Sequence, residues 1–239
     1  MDRRDAIGLF GLMGAGVAVG GSRLLDAGQS NGKNDRERIM APVSDLHSHF
    51  CGIHVAKNNP KFQIVAQHYC GRHGDEMHQC LLFDSLETNA KLLGVEYIVS
   101  DKSYRQLPVK ERAYWHPHTY EVLAGGLIAP SMKVEDEMKF MKTLLTTWGK
   151  TWHTWPDPTT DVPIGEPLLM WALTGDGQED KDLFEKRDKQ FDISTAKVRE
   201  KRVEAFGLDA PQVPQPKSMD EIGRQWTATG EDKPTRRKK

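Results

Sequence analysis

The sequence is short of cysteine, of charge imbalance and of long apolar runs, and each shortage excludes something. Three cysteines in 239 residues cannot make a closed disulfide framework. A chain of 27.0 kDa is long enough to build a core without one. Thirty-three basic side chains against thirty-four acidic ones leave a formal charge of -1, so nucleic acid, or an anionic membrane, finds no global electrostatic attraction. No uncharged stretch reaches the ~20 apolar residues that span a bilayer, and no transmembrane domain is expected in the mature protein. A G-x-S-x-G elbow, a P-loop and a dinucleotide fingerprint are all absent, which removes the main support for serine hydrolase, nucleotidase and Rossmann readings. What is present, 38% hydrophobic and 28% charged residues, describes a globular chain with polar extensions.

The start of the chain speaks to place. Arg3 and Arg4 precede seventeen uncharged residues (6–22), six of them glycine. A paired arginine before a mild apolar run is the pattern of a twin-arginine export signal. It implies the periplasm or the cell exterior for a bacterial chain; without export, the cytoplasm or a lipid-droplet surface remains. Residues 1–44 are therefore set aside as signal-like segment and linker.

From His47 the pattern changes to short runs with alternation or β-branched content. The stretches 50–56, 62–70, 79–85 and 92–100 read as strands, as does 119–129 with a glycine break. Val134, Met138, Met141, Leu145 and Trp148 then step by four, three, four and three, one face of an amphipathic helix, with Gly149 placed to end it. Residues 150–178, rich in tryptophan and proline, read as an irregular cover. Between Glu179 and Arg202 fifteen of twenty-four residues are charged, the pattern of a solvated helix on the domain surface. The expected fold is α+β, a mostly antiparallel sheet with a barrel-like curl over residues 45–175. One packed helix accompanies it, a charged helix follows over 176–208, and a disordered tail over 209–239.

Chemistry concentrates in the middle. Eight of nine histidines and all three cysteines fall within residues 47–118. His47 and His49, His68 and Cys70, and His116 and His118 are each two apart, and residues i and i+2 of a strand share a face. Imidazole with carboxylate suits zinc, iron or manganese. His116-Pro117-His118 with Glu121 resembles the first metal motif of the cupin barrels. The spacing to Glu121 is shorter than in that motif, and in a regular strand it would turn the carboxylate away unless a bulge intervened. His116, His118 and Glu121 are thus the first candidate metal ligands, with His68 as a fourth. Cys70 and Cys80 flank a polar loop; in an exported chain they can form a disulfide, and in a reducing compartment they are thiols.

Several blocks at these same residues resemble the oil body-associated proteins of plants and their fungal and bacterial relatives. They are QHYCGRHGDEMHQCLLFDS (67–85), LLGVEYIVS (92–100), LPVKERAYWHPHTYEVLAGGLIAP (107–130), WGKTWHTW (148–155) and PIGEPLLM (163–170). The resemblance implies association with lipid-droplet surfaces and no established reaction. It matches His68, Cys70, Met77, Cys80, Trp115, His116, His118, Tyr120 and Glu121, without a catalytic role for any of them. The expected function is accordingly non-catalytic, at a lipid surface or an apolar small molecule. The alternative is a cupin-like metal-binding protein or metalloenzyme.

Overall fold

A computed structural model describes residues 35–208, residue 210 and the backbone of two short strands, Arg224–Trp226 and Asp232–Pro234, which pair antiparallel. The twin-arginine-like start and most of the C-terminal tail lie outside the described residues. In chain order the elements are α1 (Asp35–Ser44), β1 (Ser48–Ala56), β2 (Asn59–His73), β3 (Met77–Phe83), β4 (Leu92–Ser100) and α2 (Asp101–Gln106). After these come β5 (His116–Pro117), α3 (Thr119–Leu123), α4 (Val134–Leu144), β6 (Thr147–His153) and β7 (Leu168–Ala172). Two helices follow, α5 (Lys181–Phe191) and α6 (Thr195–Phe206).

The expected antiparallel sheet closes on itself. Strands β1 to β4 form a meander, β4 pairs with β6, β6 with β7, and β7 returns to β1, so six strands make a closed ring. The two residues of β5 extend the line of β7 along the same edge of β6. Closure leaves the ring without an open edge and creates an interior. Residues directly opposite one another in an antiparallel ladder share a face. The pairings Phe50↔His68, Cys70↔Cys80, Cys80↔Glu96, Glu96↔Thr151 and Ile98↔Gly149 therefore put all these positions on one face. His54, Leu82 and Met170 belong to the same face, and the buried core runs along it.

Four sequence expectations need correction. Segment 119–129 is not a strand: α3 forms instead, with the Val122 N–H donating to His118 O and the Ala124 N–H to Tyr120 O. Pro117 has no N–H to continue a ladder, and Gly125, at φ 78°, turns the chain back so that only Ile128 bridges to Cys51. Helix α4 stops at Leu144 rather than Trp148. The Asp101 N–H takes the Thr146 carbonyl, and Trp148 joins β6 and stacks on Tyr104 at 3.6 Å. Gly149 is consequently a strand residue and not a helix cap. The cover over 150–178 contains the ends of the barrel, β6 and β7, with 154–167 and 173–178 irregular.

The charged segment is the fourth. It forms two helices, separated by Asp192 in the left-handed region at φ 51° and a Ser194 cap, and each sends one arginine inward. Arg187 donates to the carbonyls of Gly125 and Gly126, and Arg202 to those of Val122 and Leu127 and to the Glu137 carboxylate. These guanidinium groups satisfy carbonyls that the short α3 leaves over. The helix pair is therefore structural, seated on the turn that follows the His-Pro-His segment.

Candidate metal centre

The interior face of the barrel carries one carboxylate ringed by imidazoles. Glu96 lies on β4, His54 on β1, His68 on β2, His116 on β5 and His153 on β6, while His118 stands between β5 and α3. All six are buried. The two oxygens of Glu96 face different partners. Oε1 lies 3.5 Å from His116 Nε2 and 3.4 Å from His118 Nε2. Oε2 lies 2.9 Å from His68 Nε2 and 3.9 Å from His54 Nε2. Two groups of three donors result, each gathered closely enough to share an ion, and Glu96 belongs to both.

Hydrogen bonds on the far side of the rings fix what these nitrogens present. His68 Nδ1 is 3.0 Å from the Ala66 carbonyl, an acceptor only, so the hydrogen is on Nδ1. Thr147 gives its hydroxyl hydrogen to Leu144 O and must accept from His118 Nδ1 at 2.7 Å. In the neutral rings both Nε2 atoms are therefore lone pairs, and both aim at Glu96. Ligating histidines have this orientation, with the outer N–H tied to a carbonyl or hydroxyl and the inner nitrogen bare.

Electrostatics sharpen the picture. Burial pushes the Glu96 carboxyl up, but contacts with His116, His118 and His68 outweigh it and hold the group well below the usual carboxylate range. Glu96 is an anion in a dry interior. Burial, then neighbouring His68, holds His54 far below the usual imidazole value, and burial lowers His116 likewise. Burial brings His153 to about 3. A buried anion facing bare lone pairs needs a positive charge between them. Two or more buried imidazolium ions would be a costly source of it.

Gly149 supplies the room. A Cβ built on it would stand 2.6 Å from His118 Nε2 and 2.7 Å from His116 Nε2, and would collide with Glu96 Oε1. The space three donors surround is thus the space a side chain would fill. The donor set fits zinc, iron or manganese.

Of the residues singled out from sequence, His116, His118 and His68 come together around Glu96. Glu121 sits at the margin on α3, its Oε1 3.7 Å from His118 Nε2. Burial first, and then the charge on Glu96, pushes its carboxyl well above the usual range. Glu121 also lines a cleft of about 410 Å³ with Tyr120, Leu173, Asp176, Phe184 and Arg199, so it borders both the centre and that cleft. Cys70 and Cys80 face each other across β2 and β3 and are joined by a disulfide. His49 and Cys51 share Gln67 on the opposite face of the sheet and take no part.

Sequence reasoning missed Glu96, His54 and His153. The signal for Glu96 was present: it alternates with Gly94 and Ile98, two inward positions of a strand, where a charged residue is out of place. His153 lay inside the stretch read as irregular cover.

Fold and site together define a class: a small closed antiparallel barrel with an imidazole–carboxylate cluster inside and a helix pair seated outside. Residues 40–205 match the family described as "Protein of unknown function (DUF1264)". The chain is 36% identical to oil body-associated protein 1B of Arabidopsis thaliana over 169 residues, 70% of each chain. It is 37% identical to oil body-associated protein 1A of Zea mays, covering 70% of this chain and 71% of that one. With oil body-associated protein 2A of Zea mays the identity is 32%, over 83% and 77%. The chain belongs to the oil body-associated protein family. No solved structure matches it.

Proposed function

We propose that this member of the family is a metalloprotein that holds a divalent transition metal on Glu96, His116 and His118 inside the barrel. The carrying observation is the convergence of those three donor atoms on the space beside Gly149. When bound, such an ion supplies Lewis-acid polarisation of a ligand oxygen. The chain's own residues do the rest. Thr147 fixes the His118 ring, the barrel wall excludes water, and Glu121 stands between the centre and the cleft under α5 and α6, positioned to hold a proton for a small oxygen-bearing molecule.

Metal analysis of the purified full chain tests this reading. At least one equivalent of zinc, iron or manganese is expected after loading and dialysis. His116→Ala with His118→Ala removes the ion bound there while circular dichroism retains the strand signal. Less than a tenth of an equivalent of any transition metal in the unaltered protein overturns it.

A lipid-surface role stands beside this, since the relatives are named for oil bodies. Its support here is the 154–167 loop, where Val162 and Ile164 are 57% and 63% exposed. Lys91 ties the same loop to the barrel through the Pro158 and Thr160 carbonyls. Among the described residues no helix is long and apolar enough to cross a membrane. Flotation with phospholipid-coated triolein droplets is expected to retain the chain, and Val162→Asp with Ile164→Asp to release it. Retention no better than that of a control protein removes the lipid role.

A further inference from the structure

We propose that the barrel holds a second ion, on His54, His68 and the Oε2 oxygen of Glu96, so that Glu96 bridges a two-metal centre. The inference rests on the metalloprotein reading above and extends it from one ion to two.

Geometry supports the second group independently of the first. His68 Nε2, His54 Nε2 and Glu96 Oε2 stand 3.0, 2.9 and 3.9 Å apart. Two donors at ~2.1 Å from one tetrahedral ion stand about 3.4 Å apart, so these separations suit a shared cation. With neutral rings, hydrogen-bond accounting leaves a contact that a shared cation would fill. The His68 ring has given its Nδ1 hydrogen to Ala66 O, so its Nε2 has none for either neighbour. His54 can donate to His68 through Nε2 only if its Nδ1 accepts from His153 Nε2, 2.9 Å away. That chain leaves His153 Nδ1 without a partner, as the structure has it, and still leaves the His68 lone pair against an ionised carboxylate oxygen. An ion bound by His54 Nε2, His68 Nε2 and Glu96 Oε2 resolves the contacts among those three atoms, while His153 Nδ1 is without a partner in either arrangement. His54 Nδ1 then donates to His153 Nε2, which orients the ring from behind and raises its basicity.

Gly52, two residues before His54 on β1, also lies on the interior face, where an added Cβ would come 3.1 Å from Leu127 Cδ1 and 3.3 Å from His68 Cε1. Each ion would thus have a glycine beside at least one of its ligands, and one carboxylate would join them. Two ions on one carboxylate can clamp a single oxygen from both sides, as in metal-assisted hydrolysis or oxygen-atom chemistry. The cations this donor set takes are those with an imidazole and carboxylate preference.

Counting ions tests the proposal. The full chain is loaded with Mn²⁺, dialysed against metal-free buffer and measured for metal per chain and by electron paramagnetic resonance. Two equivalents and the spectrum of an exchange-coupled pair are expected. His54→Ala with His68→Ala should leave one equivalent and an isolated six-line spectrum, as should His116→Ala with His118→Ala, and Glu96→Gln should lose both ions. One equivalent with an uncoupled spectrum in the unaltered protein overturns the second ion and leaves the first standing. A protein that takes up no metal overturns both, and because that result is read on the unaltered chain, no misfolded variant obscures it.

Discussion

Gly149 has no side chain, and its missing Cβ leaves the space where Glu96, His116 and His118 converge. Gly149→Ala is therefore expected to weaken metal binding by at least ~100-fold, the upper range for disturbing the groups that position ligands, measured by competition with a chromophoric chelator. Gly126→Ala, whose new methyl would meet Glu121 at an ordinary 3.4 Å, should leave affinity within a few-fold. Equal effects of the two would remove the special role of Gly149. Cysteine chemistry gives a second check. Burial pushes the Cys51 thiol up to about 11, so it resists alkylation in the folded chain. In denaturant, alkylation should label one cysteine without reductant and all three after reduction; three labels without reductant would mean that Cys70 and Cys80 are thiols. At this scale the sequence showed half the cluster. His116, His118 and His68 were visible because histidine and cysteine donors two apart in extended-looking stretches advertise a shared face. Glu96, His54 and His153 were missed because each is the one inward-facing histidine or carboxylate of its strand, and only the pairing of distant strands brings them together.

The helix pair α5–α6 shows how an element's sequence can mislead about its job. Its charge density reads as solvation, yet Arg187 and Arg202 are 1% and 0% exposed and bind carbonyls of the 122–127 turn. Periodicity reports how many residues are polar and not which polar group has a buried partner. Arg202→Ala removes the guanidinium that the Val122 and Leu127 carbonyls and the Glu137 carboxylate share, a loss of roughly 3–5 kcal/mol. For a chain of this size that lowers the melting temperature by roughly 6–20 °C. Arg199→Ala, which removes an ion pair with the half-exposed Asp176, should cost about 1 kcal/mol or less. Scanning calorimetry of both variants separates the buried contact from the outer one, and equal small shifts would contradict the structural role of α6. The boundary errors have similar causes. The stripe ending at Trp148 keeps helical spacing past Leu144 because Leu145 and Trp148 are buried by other elements, the latter beneath Tyr104. The 119–129 segment has strand-like composition, but Pro117 and Gly125 control its backbone.

At the scale of the molecule, alternation and turn residues were enough to read an antiparallel sheet and its meander from 48 to 100. The barrel-like curl was expected, but the pairing that closes it was not legible, because β4 meets β6 across 46 intervening residues (101–146) that carry helices and β5. A buried ion within a closed wall couples to the stability of the whole. At a free concentration 1,000 times its Kd a single bound metal adds about 4 kcal/mol, which corresponds to a melting temperature roughly 8–16 °C higher. Stripping metal with a chelator should reverse that shift, and acidification should do the same as protons compete for the imidazoles. An unchanged melting curve after complete metal removal would place any ion outside the barrel.

His54 and His153, linked at 2.9 Å, come from positions 99 apart in the chain. A fragment that stops before β6 carries every proposed ligand but lacks His153, which holds the His54 ring, and the wall that β6 and β7 complete. Capture in the closed site is therefore a late event in assembly, since only a chain that has added β6 and β7 surrounds the ligands with a wall.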